Sequence, residues 1–251
     1  MNPDAFRTEI SKEREWREDE ITFLDSVQES LEGKEDKEKI RRAIVCILYA
    51  HVEGFVHFIF SHYVYGINEQ NLTCAKVRPA IAAAAFHKGF AALRNPDKKH
   101  SFFKGKLPDE NHLHRLSRDI GFVENIGGFY DHPVSISDGV IDTEGNVGPE
   151  VLEKLLFQTG LEYRDIEDIR DSLHRLLNAR NDIAHGKRKE GIKDQDYKKF
   201  RECFWKVIDS ISDKIITAYQ EKQFLLTDNP TAVPMVNPLS ADNGNASGTI
   251  T

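Results

Sequence analysis

AIVCILYAHVEGFVHFIF, residues 43–60, is the stretch on which the fold turns. Its length approaches that of a helix crossing a bilayer. It nevertheless carries His51, Glu53 and His57, and it begins directly after Arg41 and Arg42. Ionisable groups at membrane depth are costly. A central helix buried on all sides by other helices suits the same residues better, and no membrane is expected as a partner.

Working outward, apolar residues recur at helical spacing on both flanks. Residues 4–31 set Phe6, Ile10, Ile21, Leu24, Val27 and Leu31 on one face, with Trp16 and Phe23 at its edge, and Gly33 breaks the pattern. The central helix runs from Lys37 to about Tyr65. Gly54 in its middle costs about 1 kcal/mol against alanine, which predicts close approach of another backbone. Residues 78–93 predict an alanine-rich third helix.

Between 94 and 148 the period is lost, and seven of the sixteen glycines fall there. VSISDGVID (134–142) alternates around Asp138-Gly139 and predicts a short hairpin, with a brief helix near 109–119. Helical text resumes at Pro149 and stops at Gly160. It then runs from Tyr163 to about His185, with Gly186 in the stop position, and again over about 193–225. Residues 227–251 lack periodicity and are expected to be disordered in solution. The class is therefore all-α: a single helical domain over 1–226, an irregular insertion at 94–148, and a tail.

Charge narrows the function classes. Lys and Arg number 34 against 41 Asp and Glu, a net charge of -7, so nucleic acid can be contacted only through a local basic patch. Cys46, Cys74 and Cys203 are far apart and in no CxxC pairing, and the charged N-terminus does not read as a secretory signal. Reduced thiols and a cytoplasmic setting are expected. Glu53 and His57 do not complete an HExxH pattern, so no metal and no cofactor are expected. RNPDKKHSFFKGK (94–106) mixes cations with Phe102 and Phe103. It reads first as a pinned surface loop and second as a single-strand contact.

The densest polar group is NARNDIAHGKR, residues 178–188. On the 163–185 helix, Ile166, Ile169, Leu173, Leu176, Leu177, Ile183 and Ala184 share one side. Asp171, His174, Asn178, Asn181 and His185 share the other, so Asn181 and His185 are neighbours one turn apart. Arg180 falls within the apolar stripe, where a guanidinium needs a carboxylate, a carbonyl or a phosphate. Glu53 is the matching anomaly on the central helix, and Arg180 is expected to pair with it or lie beside it.

A histidine exchanges protons near neutral pH, an arginine fork suits a phosphate, and an asparagine can orient either. Together they suit attack of an RNA 2′-OH on its own phosphodiester. DNA lacks that nucleophile. One chain supplies one such set, so a two-fold homodimer would provide both base and acid. Lys187, Arg188 and Lys189 adjoin the site and suit substrate phosphates, and His174 and Asn178 extend the polar stripe. The plainer alternative for this helix end is a cap, since His185 and GKRK also suit its negative pole.

Arg180-Asn181-Asp182-Ile183-Ala184-His185 resembles the R-N-x-x-x-H signature of HEPN domains. LYAHVEGF (48–55) and DTEGNVGPEVLEKLLFQTGL (142–161) resemble the MAE-type subfamily, and the likeness covers roughly residues 5–225. The resemblance implies an antiparallel helical bundle dimerising through the motif helices. It also implies metal-independent endoribonuclease activity leaving a 2′,3′-cyclic phosphate, with Arg180 and His185 catalytic and Asn181 supporting. A toxin or antiphage defence effector, with an antitoxin or defence-system partner protein, follows from the same likeness. HEPN toxins silenced by nucleotidylation carry a tyrosine where this chain has Lys187. The alternative function is a non-catalytic HEPN dimer that binds a partner protein or senses a nucleotide.

Overall fold

The computed structural model describes residues 1–108 and 112–226. The tail at 227–251 lies outside them. The described residues form eight α-helices, in order: α1 (Pro3–Ser30), α2 (Lys34–Asn68), α3 (Pro79–Ala85), α4 (His87–Arg94), α5 (His112–Ile126), α6 (Pro149–Gln158), α7 (Glu167–Ala184) and α8 (Asp194–Gln220). No strand occurs among the described residues. The fold is an all-α helical bundle.

α2 forms the axis, packing against α1, α7 and α8. That explains a segment apolar enough to resemble a membrane span: Leu48, Val52, Phe55, Val56 and Ile59 are fully enclosed by neighbouring helices. Burying side chains of this size contributes about 1.5–3 kcal/mol each. Asn2 caps α1 by accepting the Ala5 N–H at 2.7 Å. The reason for Gly54 differs from the expected backbone approach. A Cβ there would stand 3.2 Å from Nη2 of Arg17. Arg17 is buried beside α2, donating to Glu13 and to the His51 carbonyl and lying over the Trp16 ring.

Three local expectations are corrected. The helix expected over 78–93 divides at Phe86, whose ring folds back over Gly89 and packs with Phe90, Phe129 and His132. The hairpin at 134–142 is absent. Its alternation is real, since Val134 and Ile136 are buried, but this extended segment bonds elsewhere. The Val134 N–H donates to the Leu72 carbonyl at 2.8 Å, and the Asn68 amide both donates to and accepts from Ile136 at 2.9 Å. Asp138–Val140 is a 3₁₀ turn. Of the brief helix near 109–119, residues 109–111 lie outside the described residues, and the remainder belongs to α5, which continues through Gly121 to Ile126.

Two histidines couple the bundle to pH. Burial pushes the His51 imidazole below its ordinary range, with the Arg17 charge adding to this and Glu20 opposing. Burial does the same to His62, which stacks between Phe6 and Phe58. The unfolded chain therefore binds these protons more readily than the folded one. Stability is full above the ordinary histidine pKa of about 6.5 and falls as pH drops through it. Thermal unfolding should show Tm falling from about pH 7.5 to about pH 5.5, with a shallower slope in a His62→Gln variant. A Tm that holds or rises on acidification contradicts this assignment.

Candidate active site

α7 begins with Glu167 and Asp168, favourable at a helix N-terminus. It buries Ile169, Leu173, Leu176 and Ala179 against the bundle and then emerges from it. The apolar side expected along its whole length is only partly enclosed at the C-terminal end: Leu177 and Ile183 are half-buried and Ala184 is exposed. The last turn thus leaves His185 exposed and Arg180, Asn181 and Asp182 half-buried at its edge. Gly186, at φ +69°, turns the chain away in the left-handed region that glycine tolerates.

Arg180 is anchored on one side by four neighbours. Its Nη2 lies 3.7 Å from Glu53 Oε2, and its Nη1 donates to Asn181 Oδ1 at 2.9 Å. Nη2 also donates to the Gly145 carbonyl at 3.4 Å, and the guanidinium carbon sits 4.7 Å from the Tyr49 ring centre. The side chain keeps 28% of its surface exposed, so a fixed cation reaches solvent. The Glu53 pairing follows from placing two charges in facing apolar stripes, since each lowers the burial penalty of the other.

Tyr49 and the loop before α6 were not singled out from the sequence as parts of this site. Tyr49 is buried, and its hydroxyl lies 3.3 Å from both Asn146 Oδ1 and the Val147 carbonyl. Burial, reinforced by the Glu53 charge, pushes this phenol up to about 12, so it stays protonated and donates. Glu144 and Gly145 take successive left-handed conformations, φ +54° and +63°, and Lys154 holds Glu144 at 2.6 Å. The turn aims the Gly145 carbonyl at Arg180. The string TEGNV stood out only as a likeness; its Glu-Gly pair is the sequence trace of this turn.

His185 caps α7, with its backbone N–H on the Asn181 carbonyl at 2.9 Å. Its side chain is exposed and, among the described residues, has no hydrogen bond or ion pair. Asn181 therefore links the set, bonded to Arg180 through its side chain and one turn from His185. No direct contact joins Arg180 to His185. Farther along the helix, Asn178 is exposed, and His174 lies 3.9 Å from Glu150.

The basic run follows in a fastened loop. Lys187 and Lys189 are exposed, whereas Arg188 is half-buried and donates its N–H to the Asp182 carbonyl at 2.9 Å. Arg42 of α2 donates to the Lys189 carbonyl, and the Ile192 N–H reaches the Glu38 carbonyl at 2.8 Å. A Cβ on Gly191 would stand 2.4 Å from the Glu38 Cβ, so this close approach requires glycine. Among the described residues no group of three or more His, Cys, Asp or Glu is placed to hold a metal ion. Phe102 of the 94–106 stretch is exposed, with Lys106 Nζ 3.5 Å from its ring centre.

Residues 12–217 match the family described as RiboL-PSP-HEPN, a span running from α1 into α8. No curated protein and no solved structure matches the chain.

Proposed function

The chain belongs to the RiboL-PSP-HEPN family, and on that premise we propose that it is a metal-independent endoribonuclease working as a homodimer. The observation that supports this best is the contrast at the end of α7: a tethered arginine and, one turn beyond Asn181, an exposed histidine with no hydrogen bond or ion pair among the described residues. A fixed cation is suited to a phosphate whose charge rearranges, and a free imidazole to moving a proton. His185 takes the proton from a ribose 2′-OH, and that oxygen attacks the adjacent phosphorus. The P–O5′ bond breaks, and the partner's His185 protonates the leaving 5′-oxygen. A 2′,3′-cyclic phosphate and a 5′-hydroxyl result. Arg180 stabilises the phosphate, Asn181 orients, and Lys187, Arg188 and Lys189 hold flanking phosphates.

The finer placement, in the MAE-type subfamily, rests on LYAHVEGF and the 142–161 string. A toxin or antiphage defence role in the cytoplasm, with an antitoxin or defence partner, belongs to the same proposal. A second reading has one observation in its favour: Glu53, Asn181, Gly145 and Tyr49 already engage Arg180, as they would a purely structural strut. In that case the domain is a non-catalytic dimer that binds a protein or senses a nucleotide.

Incubation with RNA in EDTA separates the two. The nuclease reading expects cleavage ending in 2′,3′-cyclic phosphate, with the matching all-2′-deoxy strand left intact. An uncut RNA across varied substrates, or equal cleavage of the deoxy strand, favours the second reading or excludes 2′-OH attack.

A further inference from the structure

The described helices contain four interior glycines, and three have a close neighbour that accounts for them. A Cβ on Gly54 would meet Arg17 at 3.2 Å, on Gly66 the Tyr219 ring at 2.6 Å, and on Gly89 the Phe86 ring at 2.3 Å. Gly121, in the middle of α5, meets no atom within 4 Å beyond its own helix turn. Glycine is among the poorest residues for a helix interior, and nothing in the protein's own packing calls for it here. The space it leaves open is the floor of a cleft of about 590 Å³ between α4 and α5. That is the size range of small-ligand sites.

The walls define what would fit. Phe86 and Phe122 line the cleft with ring centres 6.4 Å apart and planes at 70°, a surface suited to a flat ring. Lys98 and Arg118 line it as well, and no Asp or Glu does among the described residues. On a chain of net charge -7 an acid-free, cationic cleft selects an anion. Arg118 is fixed in place, with Nε donating to the Leu93 carbonyl at 3.0 Å and Nη1 to the Lys98 carbonyl at 3.1 Å. Those bonds use two of its donors but leave its charge beside the opening.

We propose that the α4–α5 cleft binds a base with its attached phosphate, the ring against Phe86 and Phe122 and the phosphate toward Lys98 and Arg118. The source is either a free mononucleotide or one unstacked nucleotide of an RNA strand. The site is separate from the end of α7, and its occupancy does not depend on the chain being a nuclease.

The test titrates the full chain, carrying His185→Ala so that nothing can be cut, with AMP, CMP, GMP and UMP and with a short single-stranded RNA. Gly121→Leu places a side chain in the open floor, where its Cβ would meet no protein atom within 4 Å. It should raise the unfolding temperature by about 1–4 °C while weakening binding at least tenfold. Mononucleotide binding that Gly121→Leu weakens identifies the free nucleotide as ligand. Binding of the strand alone, weakened in the same way, identifies a nucleotide within RNA. The proposal is overturned if neither mononucleotide binding nor strand binding is weakened by Gly121→Leu; strand binding that it leaves unchanged belongs to the end of α7. Should Gly121→Leu lose its fold, Lys98→Glu on the exposed loop decides by the same criterion.

Discussion

Replacing His185 with alanine should lower RNA cleavage at least about a hundredfold, the range expected when a general acid–base group is lost. The fold should barely register the change. The side chain is exposed and bonds no other side chain among the described residues, and the bond that caps α7 comes from its backbone N–H. Tm is therefore expected to stay within about 2 °C of wild type. In a dimer that draws base and acid from two copies of one residue, the substitution removes both functions together. The deficit should approach the upper end of the range, about ten-thousandfold. A His185→Ala protein that cuts RNA at the wild-type rate would remove the proton-transfer role.

Arg180→Ala should act on activity and stability together. Loss of one preorganised charge at a reacting phosphate is expected to lower turnover about a hundred- to a thousandfold. Glu53 would remain half-buried without its cation, beside the buried Tyr49 ring. A cost of about 1–2 kcal/mol is expected after allowing for the solvent that reaches this pair. Arg180→Lys restores the charge but neither the fork nor the stacking on Tyr49, so it should recover stability better than turnover. Glu53→Gln isolates positioning: it keeps the shape of the pair and removes its charge, and should lower turnover less than Arg180→Ala does. Activity assays and denaturant unfolding of these three proteins check the ordering. If Arg180→Ala loses stability and keeps full turnover, the residue is a strut and not a catalytic group.

The contrast between these two residues explains what the sequence could reveal. The geometry at the end of α7 was legible because helical spacing is a local rule. Asn181 and His185 had to be neighbours, Gly186 had to end the helix, and Arg180 in an apolar stripe needed an acid on another helix. Only Glu53 in α2 presented the same anomaly. The helix order was legible for a similar reason, since glycines at 33, 160 and 186 punctuate the apolar periods.

What escaped was set by contacts distant along the chain. Tyr49 and Asn146 meet through a loop whose two left-handed residues resemble any surface turn in sequence. The alternation at 134–142 showed that the chain is extended but not that Leu72 and Asn68, rather than a second strand, would satisfy its backbone. The division at Phe86 likewise follows from a ring cluster that joins α3, α4 and residues 129–132. Helical period alone continues straight through it.

In the proposed mechanism two copies of the α7 terminus act on one phosphodiester, which would make cleavage a property of the dimer. The most direct measurement is the specific activity of the wild-type protein on RNA in EDTA, over concentrations spanning its monomer–dimer equilibrium as followed by sedimentation. Activity per chain is predicted to rise with the dimer fraction and to vanish at dilutions where only monomer remains. Activity per chain that stays constant down to pure monomer, or no cleavage at concentrations where the dimer is complete, would contradict it.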